Sequence, residues 1–187
     1  MLRSVRMELL YYPDPKLRRI AGRVKSVNGE VHDLVRPMFD VMYGTRGIGL
    51  AAPQVGLDIR MIVANLTCDP ERADREEVYL NPQVVEREGE VKEEEACLSL
   101  PGLYAELARP KRVTVRYMNL EGRMVTRTVE DLHARLFEHE IDHLDGILIV
   151  DRLSAADKAK WAPLLKELEA DFKGGKKRRR APAPSGL

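Results

Sequence analysis

Residues His139-Glu140-Ile141-Asp142-His143 place the tightest constraint on how this chain folds. On an α-helix, residues four apart stand on one face, one turn from each other. Two imidazoles at that spacing can grip one ion, and Glu140 beside them is placed to act as a general base. The pattern works only as a helix, and only where the fold brings a further ligand to the same face. With four histidines in the whole chain, a chance occurrence is on the order of one in a hundred.

Two imidazoles leave the ligand set incomplete. One metalloprotease pattern continues as H-E-x-x-H-x-x-G-x-x-H. The chain follows it to Gly146 and then puts Ile149 at the ligand position, and isoleucine cannot bind a metal. A second pattern takes a glutamate further along, for which Glu167 and Glu169 qualify; this gives a zinc endopeptidase reading. His32 is expected on the solvent face of an earlier helix, and His133, two turns ahead, is expected to face elsewhere. Cys97 is the remaining soft donor. A lone cysteine in an extended stretch usually packs as a small hydrophobe. Here its surroundings, Glu95-Ala96-Cys97-Leu98-Ser99, are acidic and lead into a Pro101-Gly102 turn, which is not core-strand composition. Cys68, beside Asp69-Pro70, reads as incidental.

Composition narrows the setting. A chain of 187 residues suits one domain and can bury a core without staples. With two cysteines there is no disulfide framework, and a reducing compartment is the default. No apolar run approaches membrane-spanning length, and the N-terminus lacks a signal-peptide core. The expected location is cytoplasmic. The net charge is +1, so the chain as a whole is not an electrostatic binder of DNA. The balance is uneven: from Gly174 there are five basic residues, Lys176, Lys177, Arg178, Arg179 and Arg180, and no acidic ones. We therefore expect a catalytic domain over 1–173 and a basic, disordered tail over 174–187. That tail is a solvated segment or a contact for ribosomal RNA. It has no interleaved aromatics for base stacking. A non-catalytic metal-site domain that binds RNA through the tail is a third reading.

Along the chain, an extended arm with one helical turn leads to Asn28. A helix is then predicted from the Asn28 cap to Gly44, with Pro37 either delaying the cap or kinking it. Strands are predicted at Arg60–Ala64 and, on either side of a turn, at Val78–Pro82 and Val84–Val85. A hairpin is predicted for Val113–Tyr117 and Met124–Thr128 across Asn119–Gly122. The motif helix spans Leu132–Leu144, a short buried strand Ile147–Val150, and a last helix follows the Ser154 cap. Strands and helices mix without a βαβ rhythm, so the fold class is α+β. Asp142 either accepts a hydrogen bond from an arginine such as Arg109 or stands as an exposed carboxylate on the helix face.

Three segments now stand in order: Gly47-Ile48-Gly49-Leu50-Ala51-Ala52-Pro53-Gln54, Glu95-Ala96-Cys97-Leu98-Ser99 and His139-Glu140-Ile141-Asp142-His143-Leu144. In order and spacing they resemble the motifs of the peptide deformylases. The resemblance runs from about Leu9 to Phe172 and includes the Tyr12-Pro13-Asp14-Pro15 arm and Arg109-Pro110. It implies metal-dependent removal of the N-formyl group from the initiator formyl-methionine of nascent peptides, with release of formate. It implies an α+β fold in which the motif helix packs among antiparallel strands, followed by a C-terminal helix. Carried over, Cys97, His139 and His143 become ligands of one divalent ion and Glu140 the general base. Gln54 and the Leu98 backbone N–H become oxyanion donors. Gly47, Ile48 and Gly49 would pair with the peptide, and Ile48, Leu132 and His139 would line the methionine pocket. A thiolate with two imidazoles suits Zn²⁺ or Fe²⁺ over Mg²⁺ or Ca²⁺. The resemblance favours Fe²⁺ in the cell, with Zn²⁺, Ni²⁺ or Co²⁺ able to substitute. A monomer is expected.

Three departures from the family pattern stand out. Ala96 replaces a common glycine and would strain only at positive φ. Glu138 replaces a common glutamine and adds charge beside the first ligand. Tyr104 stands where many members carry arginine, as in the type-1 subgroup that includes plant-organelle enzymes.

Overall fold

A computed structural model describes residues 7–175; the basic run 176–180 lies outside the described residues. After the arm, a single 3-10 turn, Pro15–Arg18, is capped by the Asp14 side chain accepting from the Lys16 N–H. Helix α1 spans Gly29–Gly44. Asn28 caps it, its side-chain oxygen 3.1 Å from the Val31 nitrogen, and the helix runs through Pro37.

The main sheet has five antiparallel strands in the order β1-β2-β3-β6-β7. They are β1 Gly49–Ala51, β2 Met61–Ala64, β3 Glu77–Glu88, β6 Arg112–Met118 and β7 Met124–Glu130. The predicted hairpin is β6–β7, paired from Arg112↔Glu130 to Met118↔Met124. The turn is closed by Asn119, whose side chain accepts from Glu121 and Arg123. Strand β3 is one long strand with two irregularities, at Leu80/Gln83 and Val84/Glu86. Pro82 sits at the first, where a missing N–H does least harm to the ladder. Beside it Asn81, at φ 52°, uses its amide to hold both the N–H and C=O of Val24 at 2.8 Å, which ties the arm to the sheet.

A second sheet, β4 Val91–Ala96 with β5 Tyr104–Arg109, pairs from Val91↔Arg109 to Ala96↔Tyr104. Its strands carry many charged residues, so the apolar alternation that marks a strand is weak in this segment. Ala96 is the last extended residue of β4, a conformation in which its methyl group brings no strain.

Helix α2, Asp131–Leu144, packs against the main sheet. Its apolar side, Ala134, Leu136, Phe137 and Leu144, joins Ile62, Tyr79, Val113 and Val115 in one core cluster. The predicted strand Ile147–Val150 is a loop entering a helical turn, α3 Ile149–Arg152. Asp151 decides it by accepting the Leu148 N–H at 2.8 Å, a helix-start bond that a strand would not make. Four apolar residues alone do not separate the two outcomes. Helix α4, Ala155–Lys173, starts at Ser154, whose side chain accepts from the Asp157 N–H. Among the described residues no helix is long and apolar enough to cross a membrane.

Candidate metal centre

Helix α2 is unusual in burying polar residues on more than one side. His133, Arg135, Glu138, Glu140, Asp142 and His143 are all buried. Such a helix is stable only if each charge finds a partner, and most do. On one face His139 and His143 stand with ring centroids 5.0 Å apart. The turn after β4 brings Cys97 over them, its Sγ 3.2 Å from His143 Nε2. Donor atoms of Cys97, His139 and His143 all lie within 4.8 Å of one another. Glu167 and Glu169 lie on α4, and Glu169 accepts the Tyr12 hydroxyl at 2.9 Å, so the third donor brought to the pair is the cysteine. His133 faces away, its Nε2 3.0 Å from the Tyr79 hydroxyl, and His32 is exposed.

The donor set fits a borderline-soft divalent cation: one sulfur, two imidazoles and an open side. Supporting groups fix the rings. Glu95 Oε1 is 2.7 Å from His139 Nδ1, leaving Nε2 as the free donor. Glu95 also accepts Arg109 Nε and Nη2 at 3.1 and 2.7 Å and Arg135 Nη1 at 3.0 Å. Burial raises the Glu95 carboxyl, and the bonds from His139 and Arg109 outweigh it, holding the group well below the usual carboxylate range. Arg109 continues to Asp142 Oδ2 at 2.8 Å, and Arg152 closes on the same carboxylate at 3.1 and 2.5 Å. Asp142 is thus a buried acceptor and not an exposed carboxylate. Glu138 accepts Arg87 Nε at 2.8 Å, which neutralises the charge that this departure introduces.

The histidines answer these surroundings in opposite ways. Burial lowers both, but Cys97 and Glu95 raise His139 well above its ordinary value. His143, deeply buried beside it, is pushed well below. Glu140 lies next to them in sequence, its Oε2 buried without a partner. Burial pushes its carboxyl up to about 7, the range in which a carboxylate takes and returns protons near neutrality.

A cavity of about 240 Å³ opens on this group. One wall is Gly47, Ile48 and Gly49; the other runs from Glu94 through Leu98. Leu132, Leu136, His139, Glu140 and Gln54 also line it. Leu132 is 42% exposed, unusual for leucine and consistent with lining an open cleft. Both glycines lie close to side chains across the cleft, so a larger residue would displace those side chains. A Cβ on Gly49 would stand 2.9 Å from Glu140 Oε1, and one on Gly47 2.6 Å from Leu98 Cδ1. Gln54, in a short 3-10 turn, Ala52–Val55, is 1% exposed. Its Oε1 accepts the Ala51 N–H at 2.8 Å, which turns Nε2 towards Ser99 Oγ at 3.3 Å and Cys97 Sγ at 4.0 Å. Arg135 and Arg152 carry parts of this arrangement from outside the motifs, and Ser99 does so from inside one, where the motif alone assigns it no role. The one sequence signal for Arg135 was its position four residues before His139, on the same helix face.

The chain matches the family described as polypeptide deformylase over residues 6–159. A peptide deformylase of Acidobacterium capsulatum is 46% identical over 147 residues, 79% of this chain and 86% of the relative. One of Neisseria gonorrhoeae is 41% identical over 163 residues, 86% of this chain and 95% of the relative. Among solved structures, a peptide deformylase of Plasmodium falciparum superposes with a TM-score of 0.87 at 37% identity, covering 91% of this chain and all of that one. A plant peptide deformylase gives 0.86 at 35% identity, with 98% of each chain covered. With the Cys–His–His cluster and its buried glutamate in one cleft, the chain belongs to the polypeptide deformylases, metal-dependent enzymes that hydrolyse the N-formyl group from nascent peptides.

Proposed function

We propose that Cys97, His139 and His143 hold one divalent ion and that Glu140 moves the protons of the reaction. The observation that carries this reading is the unpartnered, buried Glu140 Oε2 beside three donor atoms within 4.8 Å. A divalent ion on these donors supplies Lewis acidity and a water acidified to a pKa of about 7. Glu140 accepts the proton of the attacking water and returns it to the leaving amine. The Gln54 Nε2–H and the Leu98 backbone N–H face the developing oxyanion, each such donor typically worth about 2.7–4 kcal/mol in the barrier. Gly47, Ile48 and Gly49 pair with the extended peptide, and Ile48 and Leu132 bound the slot for the methionine side chain. The thiolate–imidazole set suits Zn²⁺ or Fe²⁺, and the likeness to the peptide deformylases favours Fe²⁺ in the cell, with Zn²⁺, Ni²⁺ or Co²⁺ able to substitute.

The same reading takes residues 1–173 as the catalytic domain of a cytoplasmic monomer. The basic tail, 174–187, is then either a solvated segment or a salt-sensitive contact for the ribosome, where the substrate emerges. The decisive experiment compares formyl-Met-Ala-Ser with a longer, unformylated peptide. Formate released from the first and no cleavage of the second is the expected result; cleavage of the second alone would return the endopeptidase reading.

A further inference from the structure

Arg46 lines the cleft beside Thr45 and Gly47, on the wall that leads to β1. Its backbone is left-handed, φ 58°, a conformation that glycine adopts freely and arginine does not. The end of α1 fixes it there: the Arg46 N–H donates to Tyr43 O at 3.0 Å and the Gly47 N–H to Met42 O at 2.9 Å. The side chain is exposed, and among the described residues no carboxylate pairs with it. A cation is therefore held at the rim of the cleft with its charge unspent.

Its distance from the chemistry is set by the chain. Gly49 lies against Glu140, and Arg46 is three residues back, at most about 10 Å of backbone. In an extended peptide the third Cα stands about 7 Å beyond the first, hence about 10 Å from the formyl carbon. A peptide whose formyl group is at Glu140 and whose methionine meets Ile48 and Leu132 brings its third residue to the level of Arg46. We propose that Arg46 reads charge at that third residue, favouring formyl-methionyl peptides with Asp or Glu there over those with Lys or Arg. This rests on the deformylase reading of the same cleft. Glu94 on the facing wall has the opposite preference. The cations near it are paired with other carboxylates, Lys92 3.2 Å from Glu106 and Arg135 3.3 Å from Glu93, so Glu94 works against Arg46 and Glu94→Gln should raise the Asp/Lys ratio.

The test uses the metal-loaded enzyme and three amidated peptides, formyl-Met-Ala-Asp, formyl-Met-Ala-Asn and formyl-Met-Ala-Lys, so that no terminal carboxylate masks the third side chain. At low ionic strength the Asp peptide should exceed the Lys peptide in kcat/KM by roughly two- to fivefold, the scale of one exposed ion pair. The difference should sit in KM and shrink in about 0.5 M salt, where screening acts within a few ångströms. Arg46→Gly suits the left-handed backbone and should flatten the Asp/Lys ratio to about one, and Arg46→Glu should invert it. Equal kcat/KM in the wild type overturns the proposal. So does a ratio that survives Arg46→Gly, or one abolished by Glu94→Gln alone. Formate from the Asn peptide reports deformylation separately: its release with a flat ratio removes only the role of Arg46, while no formate from any peptide removes both readings.

Discussion

Helices α2 and α4 are both long and both carry many charged residues, yet the fold uses them in opposite ways. In α2 ten of fourteen residues are buried, six of them polar or charged. In α4, with nineteen residues, only Leu168 is buried. Trp161, Leu164 and Leu165 pack in part on the cluster around Cys97, Leu100 and Leu103, and the Tyr12–Glu169 bond adds a tether to the arm. The difference shows where this protein's free energy is committed. Around α2, charges removed from water are tolerated because Glu95, Arg109, Asp142 and Arg152 satisfy one another, which holds the donor atoms of Cys97, His139 and His143 within 4.8 Å of one another. Around α4, ordinary apolar contact covers the back of the cysteine turn, and the charged face stays in water.

On this contrast the largest effect on turnover comes from Glu140, the buried α2 carboxylate whose Oε2 has no partner. Glu140→Gln should lower turnover by about 10² or more while metal content and fold remain, and added metal should not rescue it. Metal analysis beside a formate assay checks this, and an ion lost together with activity would make Glu140 a ligand or a support.

Next in size is a partnered charge. Arg109→Met leaves both Glu95 and Asp142 short of a donor, and losing one member of a buried pair costs about 3–5 kcal/mol. Denaturant unfolding should show that loss, with metal affinity falling alongside because Glu95 no longer steadies His139. A change under about 1 kcal/mol would mean that Arg135 and Arg152 suffice.

A pH series probes the same network without a mutation. The folded Glu95 carboxyl lies below its unfolded value, despite the opposing effect of burial, because His139 and Arg109 hydrogen-bond to it. Its contribution to stability is therefore fully present above the unfolded carboxylate pKa of about 4.3 and is lost as pH falls below that. The metal-free protein, kept so with chelator, should lose unfolding free energy steadily below about pH 4.5. Glu95→Gln should flatten that fall. An unchanged acid limb would place the acid sensitivity elsewhere.

The smallest effect is expected on α4. Glu169→Ala removes a partly buried hydrogen bond and should cost about 1 kcal/mol, with turnover on short formyl peptides unchanged. A thermal melt and a formate assay separate the two. A matching fall in turnover would make α4 part of the working site and erase the contrast.

Much of this was legible in one dimension. The His139–His143 spacing requires a helix and a shared ion face. The Asn28 and Ser154 caps and the Asn119–Gly122 turn each rest on a local hydrogen bond, so residue type announces them. Pairing is another matter. The β4–β5 sheet was not legible because its strands are rich in charge, and its register depends on what Glu95 meets across space. Ile147–Val150 misled because an apolar run of four carries no period, and a single bond from Asp151 decided for a helical turn. Asp142 stood undecided between solvent and Arg109 until the fold brought Arg109 and Arg152 to it.

By itself the sequence determined the α+β class, the helix that bears His139, Glu140 and His143, and, through its likeness to a family, the chemistry of a Cys–His–His site. Only the tertiary structure decided how Glu95, Arg109 and Asp142 share their charges, how Gln54 is turned, and which side chains press on Gly47 and Gly49. Local bonds are encoded where they form. Paired charges and close approaches lie between residues distant in the chain, and their energies exist only once folding has excluded the water between them.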